Sequence, residues 1–143
     1  MTMKNFCDGP ASSLFSAVAL EGNCCFEDIK SAGVSKQLAD AVGFAHRNTC
    51  IAWGIPFEIG RPVVLRNEPI ALPIAPTKAA WFVFMHTSDS RPNIPDRHGL
   101  VSPTRGEGQL GEHAADYVFV YEDGSEERAE IRRRQHIGSF LFR

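Results

Sequence analysis

Hydrophobic and polar residues alternate along much of this chain with the two-residue period of β-strands. The alternation is cleanest in residues 49–59, where all the large side chains fall on one side: Ile51, Trp53, Ile55, Phe57 and Ile59. This pattern predicts a single half-buried strand. Pro56 then marks an edge position or a bulge, because proline has no N–H to donate to a neighbouring strand.

Further short strands are predicted wherever the same alternation returns, in residues 14–20, 63–65, 69–74 and 79–87, with a short extended piece at 25–29. Residues 79–87 differ from the others because they are apolar on both faces, which is typical of a strand inside the structure. Residues 35–46 have apolar side chains at spacings of three and four. They predict either one short helix capped by Ser35 or a loop across the end of a sandwich.

Residues 117–131 predict a β-hairpin around the dipeptide Asp123-Gly124, which favours a two-residue type I′ turn. A two-residue turn places Glu122 opposite Ser125. The remaining pairs then follow in register: Val118 with Ala129, Phe119 with Arg128, Val120 with Glu127, and Tyr121 with Glu126. Because an isolated hairpin is only marginally stable, these two strands are expected to belong to a larger sheet.

These elements together predict an all-β fold, a jelly-roll-like antiparallel β-sandwich with at most one short helix, as a single domain over residues 1–143. Residues 88–113 form a long loop rich in proline and glycine, and loops of this length are usually binding loops, lids or disordered segments. The apolar tail at Phe140 either folds back as an edge strand or docks on another chain. Whether the chain is a fragment or a subunit of a larger assembly is therefore left open.

Composition narrows the classes of partner. The net charge of −2 gives no attraction to nucleic acid or to a membrane, and the basic run 132–134 is offset by nearby glutamates. The amino terminus lacks the apolar run of a secretory signal, which predicts a cytoplasmic protein. The cysteines lack the spacing of a metal site and are expected to be free thiols. No cofactor is predicted.

Four segments resemble galactose-binding-like β-sandwich (jelly-roll) modules of bacterial carbohydrate-active enzymes, in which a G-x-P-F strand, a strand ending in His-Thr or His-Ala, and a Y-x-D-G hairpin recur in this order. The segments are Trp53-Gly54-Ile55-Pro56-Phe57-Glu58-Ile59, Ile70-Ala71-Leu72-Pro73, Trp81-Phe82-Val83-Phe84-Met85-His86-Thr87 and Tyr117-Val118-Phe119-Val120-Tyr121-Glu122-Asp123-Gly124-Ser125. The resemblance implies a non-catalytic module that binds a glycan or supports a catalytic unit. The long insertion 88–113 departs from the compact form of such modules.

The candidate ligand-binding residues lie around the long loop and on one face of the hairpin: His86, Arg91, Asp96, His98, His113, Tyr117 and Tyr121. Aromatic rings in a row suit stacking against a sugar, although rings in this position also serve simply as packing. The three histidines with nearby carboxylates are an alternative metal site, without the spacing of a known ligand motif.

No catalytic residue is predicted, because neither a G-x-S-x-G turn nor a cysteine nucleophile motif is present. The favoured hypothesis is a carbohydrate-binding or accessory module. One alternative is a small enzyme subunit, a hydrolase or lyase acting on a glycoside, that contributes His86 or His98 to a shared site. Another is a structural assembly domain. The expected partners are a glycan and either a catalytic partner chain or a second copy bound through the C-terminal segment.

Overall fold

The computed structural model describes residues 7–91, 95, 97–100 and 110–141. The chain divides into two compact units, Met1–Phe82 and Val83–Arg143. The regular structure of the described residues is mainly β, as predicted, and consists of two two-stranded antiparallel sheets and two short helices. Each unit contains one of these sheets, so within the described part of either unit no second sheet faces it as a sandwich requires. The prediction of a single domain stays a prediction.

The two helices lie in the first unit. A 3-10 helix spans Phe26–Ser31, where the sequence pattern predicted an extended piece. Helix α1 spans Lys36–Val42, and the hydroxyl of Ser35 caps it by accepting a hydrogen bond from the Leu38 N–H at 3.1 Å. The helix is therefore the correct one of the two alternatives for residues 35–46. The prediction of at most one short helix is wrong, because the 3-10 helix is present in addition to α1.

The buried centre of the first unit lies between these helices and a later extended segment. Cys24, Ile29 and Ala39 form it, and Val64 packs against them. The 3-10 helix forms because its turn places Ile29 in this centre while its charged residues stay at the surface.

Residues 48–59 form a hairpin, and the prediction of one continuous strand is wrong. Strand β1 spans Asn48–Ala52 and strand β2 spans Ile55–Ile59, with Ala52 opposite Ile55. Trp53 and Gly54 form the turn at φ values of 51° and 77°, so both have the positive φ of a type I′ turn. The Trp53 side chain is 89% exposed. The reversal brings Cys50, which is 2% exposed, opposite Phe57.

The strands predicted at residues 14–20, 63–65, 69–74 and 79–87 do not form. The contrast is largest in 79–87, which was expected to be buried on both faces. Trp81 is 83% exposed and Phe84 is 40% exposed. An alternating segment becomes a strand only when another strand accepts its backbone hydrogen bonds, and alternation alone cannot supply that neighbour.

The second unit contains the hairpin of β3, His113–Val120, and β4, Glu126–Arg132. The hairpin confirms the prediction of two paired strands, but the predicted register is wrong by one residue. Tyr117 lies opposite Ala129, Val118 opposite Arg128, and Phe119 opposite Glu127.

The loop between these strands accounts for the shift, because it has three residues instead of two. Gly124 has φ 81°, whereas Asp123 lacks the positive φ that a type I′ turn requires. The Asp123 carboxylate instead accepts hydrogen bonds from the Ser125 N–H at 2.9 Å and the Ser125 hydroxyl at 2.6 Å. This local bonding is typical of aspartate in turns.

The C-terminal tail folds back on the second unit. Ser88 forms an isolated bridge with Ser139, and its N–H donates to the Gly138 carbonyl at 2.9 Å. This is the first of the two arrangements predicted for the tail, although a single bridge replaces an edge strand. The predicted long loop 88–113 ends one residue into β3. Much of its length, including Asp96 and residues 101–109, lies outside the described residues.

Candidate functional site

Two of the predicted site residues, His86 and Tyr117, are in direct contact in the second unit. The His86 Nε2 atom lies 2.9 Å from the carbonyl oxygen of His136. A carbonyl can only accept, so Nε2 carries the proton and donates. In the tautomer with the proton on Nε2 alone, Nδ1 accepts a hydrogen bond from the Tyr117 hydroxyl, which lies 2.7 Å away. Both nitrogens of His86 are occupied by these hydrogen bonds.

Aromatic rings pack around this pair. Tyr117 and Phe119 lie two residues apart on β3 and thus share a face, and Phe84 contacts both. The Phe84 ring centroid lies 4.8 Å from that of Tyr117 and 6.2 Å from that of Phe119, with interplanar angles of 60° and 53°. Tilted rings at these distances attract each other through their quadrupoles. Burial raises the pKa of Tyr117, which keeps its hydroxyl protonated as a donor.

The carbonyl that holds His86 belongs to a tight turn after β4. The N–H of Arg132 donates to His136 Nδ1 at 3.1 Å, and Arg134 has a positive φ of 62°. The chain of hydrogen bonds thus runs from Tyr117 through His86 to a turn stabilised by its own backbone. Such an arrangement positions rings, and it leaves neither nitrogen of His86 free to take a proton from a substrate.

Arg91 lies apart from this cluster in an ionic group. Its guanidinium pairs with the Glu112 carboxylate. Arg133 Nε lies 3.4 Å from the other oxygen of the same carboxylate. The group joins the start of the long loop to the strand end. The Arg91 guanidinium therefore forms an ion pair within the protein in this structure.

His113 and His98 are also separate from His86. His113 Nε2 lies 3.2 Å from Asp116, which also pairs with Arg128 at 3.2 Å. His98 Nε2 accepts a hydrogen bond from its neighbour Arg97 at 3.0 Å. Within the described part of the chain, no group of three histidine, cysteine or acidic side chains is arranged to hold a metal ion. Asp96 lies outside the described residues.

Tyr121 presents a ring beside a carboxylate at the turn end of the same β3–β4 face. Its hydroxyl donates to Glu127 at 2.8 Å, and its side chain is 51% exposed. The hydrogen bond to Glu127 raises the pKa of Tyr121. Sequence reasoning missed Glu127, because the predicted register placed Glu126 opposite Tyr121. In the true register Ser125 would face Tyr121, and Glu127 is its diagonal neighbour on the same face.

No protein-family model, no curated protein and no solved structure matches this chain. The resemblance to galactose-binding-like modules therefore remains a prediction from the residues themselves. Across the described ranges, the structure contains no helix with the length and apolar character needed to cross a membrane.

Proposed function

We propose that this chain is a non-catalytic module that binds a carbohydrate at the Tyr121 end of the β3–β4 face. The observation that carries the proposal is the half-exposed Tyr121 ring held beside the Glu127 carboxylate by a 2.8 Å hydrogen bond. A sugar offers apolar C–H groups to a ring and hydroxyl donors to a carboxylate. A ring and a charged acceptor side by side match both kinds of group.

Two other rings on the same face, Tyr117 and Phe119, pack against Phe84. Phe84 and His86 cover Tyr117, so Tyr117 serves as packing, and Tyr121 is the ring that stays accessible. The hydrogen bonds of His86 to Tyr117 and to the His136 carbonyl hold the His86 ring against Tyr117. The same bonds disfavour the alternative in which His86 acts as an acid or base.

The wider proposal follows the residues that resemble galactose-binding-like modules, and it includes a jelly-roll-like sandwich and an accessory role beside a carbohydrate-active enzyme. A cytoplasmic location is also proposed. Cys7, Cys24, Cys25 and Cys50 are free thiols, which suits a reducing compartment.

A glycan array followed by calorimetry tests the proposal. We expect the wild-type chain to bind at least one class of glycan. Tyr121→Ala is expected to lower the affinity about tenfold or more, because the stacking surface is lost. Glu127→Gln keeps the shape and removes the charge, so a smaller loss is expected. Val120→Ala is the matched control, since Val120 is the exposed last residue of β3, next to Tyr121 in the chain, with its side chain on the opposite face.

The proposal fails if no glycan binds the wild type. It also fails if Tyr121→Ala and Val120→Ala bind a glycan equally well. Tyr121→Phe separates the two parts of the site, because it keeps the ring and removes the hydroxyl that donates to Glu127.

A second candidate function is assembly with another chain, and the apolar segment 81–85 favours it. Its five side chains are between 40% and 83% exposed, and exposed apolar patches of this kind often mark interaction sites. Light scattering should then show an oligomer that Trp81→Ser weakens. Leu141→Ser tests the C-terminal route predicted for a second copy. A monomeric wild type contradicts both routes for self-assembly.

A further inference from the structure

A cavity of about 330 Å³ lies within the first unit. One wall comes from the segment that leads into and through the 3-10 helix. The other comes from the extended segment at 61–66. The side chains that determine its chemistry are Asn23, Asp28, Ser31, Arg61, Val64 and Arg66.

The two walls are pinned together by specific bonds. The Asn23 side-chain amide donates to the Val64 carbonyl at 3.0 Å, and the Val64 N–H donates back to the Asn23 side-chain oxygen at 2.8 Å. One residue earlier, a Cβ on Gly22 would lie 2.1 Å from the Pro62 carbonyl oxygen. The backbones therefore approach so closely that position 22 accepts only glycine. These contacts set the spacing of the two walls.

Arg61 and Arg66 give this cavity its charge. Neither forms an ion pair within the described part of the chain, and Asp28 is the one acidic residue of the lining. Two guanidinium groups and one carboxylate leave a formal excess of one positive charge. The chain as a whole has a net charge of −2, so this local excess is of the opposite sign.

The Arg66 guanidinium lies directly over Gly33. A Cβ at Gly33 would lie 2.3 Å from Arg66 Nη1, so the guanidinium occupies the space that any other residue would fill. Gly33 also has φ 79°, which a residue with a side chain adopts at a cost. The Arg66 guanidinium therefore lies over Gly33 at the cavity, and Arg66 is exposed to solvent.

We propose that this cavity binds the oxyanion group of a small molecule, either a phosphate or a carboxylate, through Arg61 and Arg66. Guanidinium groups donate forked hydrogen bonds that match the oxygen spacing of both groups. The cavity volume is at the lower end of small-molecule sites. Asp28 opposes a second negative group, so ligands with a single anionic group are favoured. The site is separate from the carbohydrate site and does not depend on it.

Amide NMR titration with inorganic phosphate and with acetate, each at constant ionic strength, tests the proposal. We expect saturable shifts at Ala32 and Val64. Arg61→Gln and Arg66→Gln should each weaken binding about tenfold, because each removes a charged donor. Asp28→Asn should tighten it, because a like charge is lost. Lys78→Gln is the matched control, since it removes one positive charge from a residue outside the lining.

Saturation by phosphate alone, by acetate alone or by both supports the site and identifies the group that it accepts. Gly33→Ala adds a steric test, since displacement of the Arg66 guanidinium should weaken binding while the amide spectrum stays folded. The proposal is overturned if neither probe gives a saturable shift. It is equally overturned if both arginine variants bind as Lys78→Gln does.

Discussion

The two hairpins of this protein reverse direction in different ways, although each turn ends with a glycine at positive φ. Gly54 has φ 77° in the first hairpin and Gly124 has φ 81° in the second. The residues before them differ. Trp53 takes a positive φ of 51° and the loop has two residues, whereas Asp123 does not and the loop has three. The dipeptide that favours the type I′ turn in general is therefore the one that does not form it here.

The difference shows that a side-chain hydrogen bond can decide loop length against a dipeptide preference. Asp123 bonds to Ser125 within its own loop, while Trp53 has no comparable acceptor on its side chain. The consequence extends along both strands, because a shift of one residue exchanges the cross-strand neighbours. It places Glu127, not Glu126, on the face of Tyr121 and so creates the proposed binding site.

The largest expected effect compares the most buried residue of each hairpin. Ile131 is 8% exposed on β4, and Cys50 is 2% exposed on β1. Ile131→Ala should lower the free energy of unfolding by about 2–4 kcal/mol, because it removes three carbons and leaves a cavity. Cys50→Ala removes a single sulfur and should lower it by less. Urea unfolding gives the total change, and amide exchange shows which hairpin loses protection.

Glu126→Ala is the control for the first comparison, since Glu126 is exposed on the same strand as Ile131. A loss with Ile131→Ala no larger than with Glu126→Ala contradicts the assignment of Ile131 as the anchor of its hairpin.

The next effect is a stabilisation of the first turn. Trp53 has a positive φ, which is unfavourable for a residue with a side chain. Its side chain is 89% exposed, so burial does little to offset that backbone strain. Trp53→Asn should raise the free energy of unfolding by about 1 kcal/mol, because asparagine tolerates this conformation. The urea midpoint measures the change. Phe44→Asn, at another exposed ring, should leave it unaltered; a lower midpoint for Trp53→Asn would contradict the turn assignment.

The smallest effect concerns pH and distinguishes the two turns. Hydrogen bonds from the Ser125 hydroxyl and N–H lower the pKa of Asp123 in the folded chain. The stabilisation is thus present above the unfolded value of about 4 and is lost as pH falls through the folded pKa. Amide exchange at Ser125 should quicken relative to its intrinsic rate on acidification, while the Trp53-Gly54 turn, with no titratable side chain, stays unchanged. Asp123→Asn should abolish the pH dependence of exchange at Ser125. An equal response to pH in both turns would contradict the role of the Asp123 carboxylate.

Local interactions explain which elements could be predicted from the sequence. The α1 helix depends on a cap three residues from its partner, and the β3–β4 hairpin depends on one short loop. The predicted strand at 79–87 failed because its neighbour would have to come from elsewhere in the chain. The candidate site shows the same limit. His86 and Tyr117 were both selected from the sequence, but they are 31 residues apart, and their pairing required the fold.

The amino-acid sequence by itself indicated the turn at Asp123-Gly124 and the helix capped by Ser35, because these depend on the φ preferences and side-chain hydrogen bonds of adjacent residues. The tertiary structure decided which distant segments meet: Phe84 and His86 with Tyr117, and residues 61–66 with residues 23–32 around one cavity. Those pairings depend on distances between segments far apart in the chain. Alternation and composition record the character of each segment and carry no information about its partner.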